Sequence, residues 1–209
     1  MSWTRKEIKE RAKEFLREYY WEAFFTALII GLIAGGFNFK VNLDRNRYDM
    51  FSNFSLLFLL VSIFIVNVLQ VGLAKFFIEG EKGNVNISNI FFFFKSENYF
   101  NIVKIMFLMN LYIFLWSLLL IIPGIIKSYE YAFIPYLLAE NPDMDIKEVF
   151  KKSKEMTNNQ KGNMFVLDLS FIGWYFLGAL IIIGAVFVAP YHEATRAQLY
   201  FELKEWMQE

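Results

Sequence analysis

Residues Leu115–Glu130 read LWSLLLIIPGIIKSYE, and the interpretation of this stretch decides the fold. An unbroken apolar run meets Pro123-Gly124, and a second apolar run follows that carries Lys127 and Glu130. Proline removes a backbone donor and clashes with the preceding turn, and glycine permits a sharp reversal. The stretch therefore reads as the tip of a helical hairpin. One apolar helix covers 102–122, the chain breaks at Pro123 and Gly124, and a second, shorter segment covers 125–139. Lys127 and Glu130 lie three apart, close enough on a helix to pair.

Outward from the tip, further apolar stretches cover 21–39, 54–78 and 164–188. About 20 apolar residues suffice to cross a bilayer as a helix. The last stretch is either one span or a hairpin divided near Gly178–Gly184, so the chain reads as an all-α polytopic membrane protein with five or six apolar segments. Six is preferred, because Arg196 and Lys204 suit the cytoplasm. Gly184 and Pro190 join Pro123 and Gly124 as candidate break residues.

Composition agrees. The chain has 209 residues, of which 56% are hydrophobic and 20% aromatic; an ordinary soluble domain has about 45–50% apolar residues. Lys+Arg and Asp+Glu number 21 each, so no net charge points to nucleic acid. The absence of Cys excludes disulfides, thiolate metal sites and thiol nucleophiles. No Gly-rich phosphate loop, metal-ligand spacing or nucleophile elbow is present. No enzyme class, catalytic residue, metal or cofactor is implied.

The polar segments orient the chain. Residues 1–20 form an amphipathic helix opened by the capping box Thr4-x-x-Glu7, with Ile8, Ala12, Phe15, Leu16 and Tyr19 on one face. Its apolar face is expected to lie on an anionic membrane surface, the alternative being a solvated helix that leads into the first span. The run Ile90–Lys95, capped by Ser88 or Asn89, is too short to span and reads as interfacial. A second amphipathic helix covers 143–159, with a capping box at Asp145-x-x-Glu148 and the basic face Lys147, Lys151, Lys152 and Lys154. A third polar helix covers 191–209. Lys and Arg cluster before the first span, between Lys75 and Lys104, and between Lys147 and Lys161. The positive-inside rule puts all three clusters, and the N-terminus, in the cytoplasm.

Ionisable residues inside membrane segments are functional candidates, because desolvating them is costly. Here they are Lys127, Glu130 and Asp168, with His192, Glu193 and Arg196 near the last break. Should the two breaks pack together, these six line one polar cavity; otherwise Lys127–Glu130 is a local ion pair and the others sit among headgroups. Asn67 and Gln70 share one face of the second span, and Asn110 and Ser117 one face of the third. Such amides seek partners on neighbouring helices.

Several pieces together resemble one family: Leu115–Leu119, Ile122-Pro-Gly-Ile-Ile-Lys127, Tyr131, Glu140-Asn-Pro142, Lys152-Ser153 with Met156, Leu169-Ser-Phe-Ile-Gly-Trp174 and Pro190-Tyr191. It is the bacterial multi-pass membrane family known as domain of unknown function nine-seven-five. Within that resemblance the unbroken Phe run near Phe93 and the acidic Asp168 are departures. The resemblance implies a bacterial cytoplasmic-membrane protein with no agreed activity. Three functions are carried forward: a membrane scaffold or accessory protein with a partner at the 143–159 helix, a small transporter or permease-like subunit using the broken helices, and a lipid-binding or lipid-modifying protein. Membrane lipids are the expected partners throughout.

Overall fold

A computed structural model describes residues 3–39, 60–180 and 184–207, with backbone alone at 35–39, 179–180 and 184–185. The expected outward loop before residue 54, and the start of the second segment, fall outside them. Among the described residues the chain forms eight α-helices and no strand. They are α1 (Arg5–Phe39), α2 (Ser62–Glu81, π-helical over Ser62–Val66), α3 (Tyr99–Leu119), α4 (Ile121–Glu130), α5 (Ile134–Glu140), α6 (Ile146–Met156), α7 (Lys161–Leu180) and α8 (Gly184–Trp206). A 3₁₀ segment, Ile87–Lys95, lies between α2 and α3.

The capping box at Thr4 is closed in both directions. The Thr4 backbone N–H donates to Glu7 Oε2 at 3.0 Å, and the Glu7 N–H donates to Thr4 Oγ1 at 3.3 Å. From this start α1 continues through the expected boundary at residue 20 with only a kink at Tyr19 (φ −121°, ψ 31°). Its apolar face is not free for a membrane surface. Ile8 and Ala12 are fully buried, and the Phe15 ring lies 5.6 Å from that of Phe77 in α2. Arg11 pairs with Glu202 of α8 at 2.8 Å. Protein, rather than lipid, takes up this amphipathic face because α8 lies along α1, from the Arg11–Glu202 pair to the stacked rings of Phe24 and Phe187 at 5.0 Å.

The interruption in the deciding stretch sits at Leu120, not at Pro123-Gly124. Leu120 is extended (φ −158°, ψ 144°), and Pro123 and Gly124 lie in the first turn of α4. The first turn of a helix has backbone N–H groups without intrahelical partners, so proline costs little there. Gly124 serves the packing: a Cβ on it would overlap Ser117 Oγ and come 2.7 Å from Ser117 Cα. The Ser117 hydroxyl is turned back onto the Ile113 carbonyl at 2.8 Å. Small residues at both positions let α3 and α4 touch as an antiparallel hairpin.

Three other boundaries differ from expectation. The 125–139 segment is not one helix, because a turn after Glu130 separates α4 from α5. Asn86, not Ser88 or Asn89, caps the 3₁₀ segment by accepting from the Ser88 N–H at 2.9 Å. Pro190 breaks nothing; α8 runs through it. At α6 the Asp145 side chain accepts from the Lys147 N–H at 2.9 Å, but Glu148 turns away to Lys152 at 2.9 Å, so that box is half formed.

The 3₁₀ segment has three residues per turn, so Ile90 and Phe93 share a face and are buried while Phe91 and Phe92 are exposed. Contacts between α7 and α8 join Asp168 to Arg196 and Tyr175 to His192, a nearly constant index sum, so these helices are also an antiparallel hairpin.

Two helices among the described residues are long and apolar enough to cross a membrane, Ser62–Glu81 and Tyr99–Leu119. They are packed differently: α2 is mostly buried, and α3 mostly is not. Ile102, Ile105 and Met106 of α3 enter the core with α2, α5 and α8, whereas Phe114 to Leu119 stand outside it. The molecule thus has a half with a filled core and a half that displays apolar side chains.

Candidate functional site

Asp168 is the residue on which three helices converge. It projects from α7 on the same face as Phe171 and Tyr175, the i, i+3, i+7 spacing of one helical stripe. Opposite it, His192 and Arg196 of α8 are four apart and so also share a face. Asp168 Oδ1 accepts from His192 Nε2 at 2.9 Å. Its Oδ2 accepts from Arg196 NH2 at 2.8 Å and from the Tyr129 hydroxyl of α4 at 2.9 Å. A carboxylate accepts only, so His192 donates through Nε2, and its Nδ1 lies 3.1 Å from the Tyr175 hydroxyl oxygen. The His192 ring stacks on Phe171 at 4.6 Å between centroids. Three donors from two neighbouring helices thereby satisfy one acid, which is how a largely buried carboxylate is tolerated.

Asp168 and Arg196 also line a cavity of about 300 Å³. Glu193 of α8 and Gln70 of α2 line it as well, with aromatic side chains from α4, α5 and the turn between them, and an aliphatic wall from α1, α2 and α3. Of the six candidates, the structure brings Asp168, Glu193 and Arg196 to one cavity, and His192 is bonded to Asp168 without lining it. Lys127 and Glu130 are elsewhere.

A family model described as "Protein of unknown function (DUF975)" matches residues 1–127 and 118–206, nearly the whole chain. The chain belongs to the DUF975 family. No curated protein and no solved structure matches it.

In this DUF975 chain Lys127 and Glu130 form a second polar cluster. Their side chains meet at 2.8 Å, and Lys161, at the start of α7, adds a contact to Glu130 at 3.5 Å. The Glu130 carbonyl accepts from Ser153 Oγ of α6 at 2.9 Å, which ties the end of α4 to α6. Lys127 also lies 5.5 Å from the Trp116 ring, across the α3–α4 hairpin.

The amides separate. Asn110 Nδ2 donates to Asn67 Oδ1 at 3.1 Å across the α2–α3 contact, whereas Gln70 faces the cavity without a hydrogen bond among the described residues. On α6, Lys152 and Lys151 pair with Glu148 and Glu155 of their own helix at 2.9 and 3.8 Å. Lys147 and Lys154 are exposed and make no ion pair among the described residues. The buried side of α6 is spent on the protein: Phe150 packs at 4.9 Å on Tyr131 and 5.5 Å on Tyr112.

Sequence reasoning missed Tyr129, Tyr175 and Lys161. The seven-residue spacing of Asp168 and Tyr175, facing a His-x-x-x-Arg stripe, was an available signal. Nothing in the sequence pointed to Tyr129 or Lys161, which arrive by tertiary packing.

Proposed function

We propose that this chain is an integral membrane protein that acts as a scaffold or accessory subunit, with its apolar half in the bilayer and its filled-core half in the cytoplasm. The observation that carries this is the α3–α4 tip. Leu118, Leu119, Leu120, Ile121 and Ile122 are between 64 and 76% exposed. Burying one such side chain is worth about 1.5–3 kcal/mol, so these five together represent on the order of 10 kcal/mol. That is as large as the whole stability of many domains, and water is a poor medium for such a surface. Trp21, Phe25 and Leu32 of α1, and Leu169, Ile172, Trp174 and Phe176 of α7, extend the same kind of surface. In this reading the part of α1 from Trp21 onward, the start of α2 at Phe64 and Ile65, α7 and the leading, apolar part of α8 supply the other membrane segments. The exposed Lys147 and Lys154 form the contact for an acidic partner. The N-terminus and α6 share the cytoplasmic side because that is where the unpaired cations lie.

The test is extraction and labelling. The chain should remain in membranes after alkaline washing and leave them with detergent. Because there is no native Cys, Asn84→Cys and Lys154→Cys each give a single thiol. Both should react with an impermeant maleimide only after the cells are opened. Asn159 is avoided, since its backbone is left-handed (φ 58°), a conformation Asn tolerates better than Cys. A monodisperse chain in detergent-free buffer, or labelling from outside, defeats the proposal. The scaffold role predicts that Lys147→Glu with Lys154→Glu abolishes in-cell crosslinks to a partner without lowering chain abundance.

A second reading, a small transporter or permease-like subunit, is favoured by the cavity beside Asp168. Solute uptake that fails in Glu193→Gln while the chain stays folded would select it over the scaffold.

A further inference from the structure

The cavity is amphipathic in its lining. Tyr129, Tyr131, Phe133 and Tyr136 contribute aromatic side chains. Ile30, Leu73, Met109 and Ile113 contribute an aliphatic wall. The charges are unevenly matched. Arg196 is bonded to Asp168 at 2.8 Å and is also attracted by the Glu193 charge one turn away, so a single guanidinium stands against two carboxylates. Asp168 has both oxygens occupied by donors from His192, Arg196 and Tyr129. Glu193 makes no hydrogen bond and no ion pair among the described residues. Beside it, Gln70 brings an amide with no hydrogen bond among the described residues.

A carboxylate at a partly enclosed surface favours a cation that can enter and neutralise it. Aromatic rings add to that preference, because their faces attract ammonium groups. An aliphatic wall opposite accepts a short hydrocarbon body. The volume of about 300 Å³ lies at the small end of organic ligand sites. We propose that the cavity binds an organic ammonium with a short apolar body, its head on Glu193 among the tyrosines and its carbons against Ile30, Leu73 and Ile113. An inorganic cation would leave the aliphatic wall unused, and a carboxylate ligand would face Glu193. The proposal concerns the cavity alone and holds whether or not the α3–α4 tip enters a bilayer. The ammonium has two natural sources, the headgroup of an aminophospholipid and a soluble amine.

The purified full chain in detergent would be titrated with three water-soluble probes of one size, n-butylamine, butanoate and n-butanol, with binding followed by calorimetry. Butylamine should bind saturably and at least about tenfold more tightly than the other two, since only the amine brings opposite charge to Glu193 while Arg196 is already bonded to Asp168. Glu193→Gln should lose that preference while keeping the elution profile and helical signal of the unaltered chain. Should Glu193→Gln not fold, the order of the three probes on the unaltered chain decides by itself. Equal binding of all three, preference for butanoate, or an unchanged preference in folded Glu193→Gln would overturn the proposal. Mass analysis of co-purified lipid then separates the sources. Aminophospholipid retained by the unaltered chain and lost from Glu193→Gln identifies a headgroup, and butylamine binding without retained lipid identifies a soluble amine; both outcomes support the ammonium site.

Discussion

Gly72 stands where α2 meets the backbone of Ile90, and no side chain fits between them. A Cβ there would overlap the Ile90 carbonyl oxygen and lie 2.6 Å from Ile90 C and Cα. Backbone cannot rotate aside as a side-chain end can, so the 3₁₀ segment would have to lift off α2. Gly72→Ala is therefore expected to lower stability by about 1–3 kcal/mol, the usual cost of overpacking. Gly173 lies inside α7, and a methyl group added there would meet nothing within 4 Å. Gly173→Ala should raise stability by roughly 0.5–1 kcal/mol, the helix-interior difference between the two residues. Denaturant midpoints of the two variants, moving in opposite directions, check both. A fall for both would show that helix propensity and open space do not govern Gly173. Thr26 offers a separate residue-scale test. It is fully buried, and its hydroxyl has no hydrogen-bond partner among the described residues. An unmade buried bond costs about 1–3 kcal/mol, so Thr26→Val should raise the thermal midpoint.

At the scale of elements, the joint between α5 and α8 couples stability to pH. Tyr200 is fully buried and donates to Glu140 Oε2 at 2.8 Å, and Lys204 reaches the same carboxylate at 2.6 Å. Burial first, and the Glu140 charge next, hold the Tyr200 hydroxyl proton well above the usual tyrosine range. The unfolded chain would release that proton near pH ~10. Tyr200 therefore contributes stability that is fully present below pH ~10 and is lost as pH rises from there towards its raised folded value. One proton corresponds to a slope of about 1.4 kcal/mol per pH unit. Unfolding free energy measured upward from pH ~10 should fall less steeply in Tyr200→Phe, which still leaves Glu140 paired with Lys204. Identical slopes would remove Tyr200 from the account. At the other end of the chain, the Thr4 hydroxyl and backbone N–H hold the Glu7 carboxyl below its ordinary range, so that cap weakens only as pH falls through that lowered value.

At the scale of the molecule, Asp168 bonds α7 to both α4 and α8. Removing its charge leaves the Arg196 guanidinium without its direct partner and weakens the bonds from His192 and Tyr129. Asp168→Asn is expected to lower global stability by about 3 kcal/mol, the scale of breaking a buried pair by changing one member. Hydrogen exchange should then quicken in α4, α7 and α8 together. Faster exchange confined to α7 would mean that the network does not join the helices.

The hydrophobic pattern alone established that the chain is helical, because long apolar runs punctuated by capping residues and turn clusters leave few other ways to satisfy the backbone. Thr4-x-x-Glu7, the Lys127–Glu130 spacing and the family likeness were equally local, since each depends on residues within a turn or on short motifs. The point where α3 ends was not local. Pro123-Gly124 marks a break by rule, yet the close fit of Gly124 on Ser117 moves it to Leu120. Only the tertiary structure decided that the face of α1 expected on a membrane is covered by protein, that Asp168 collects three donors, and that Glu193 faces a cavity with aromatic and aliphatic walls. Side chains far apart in sequence meet there through helix packing, and packing depends on complementary surfaces that no single segment contains.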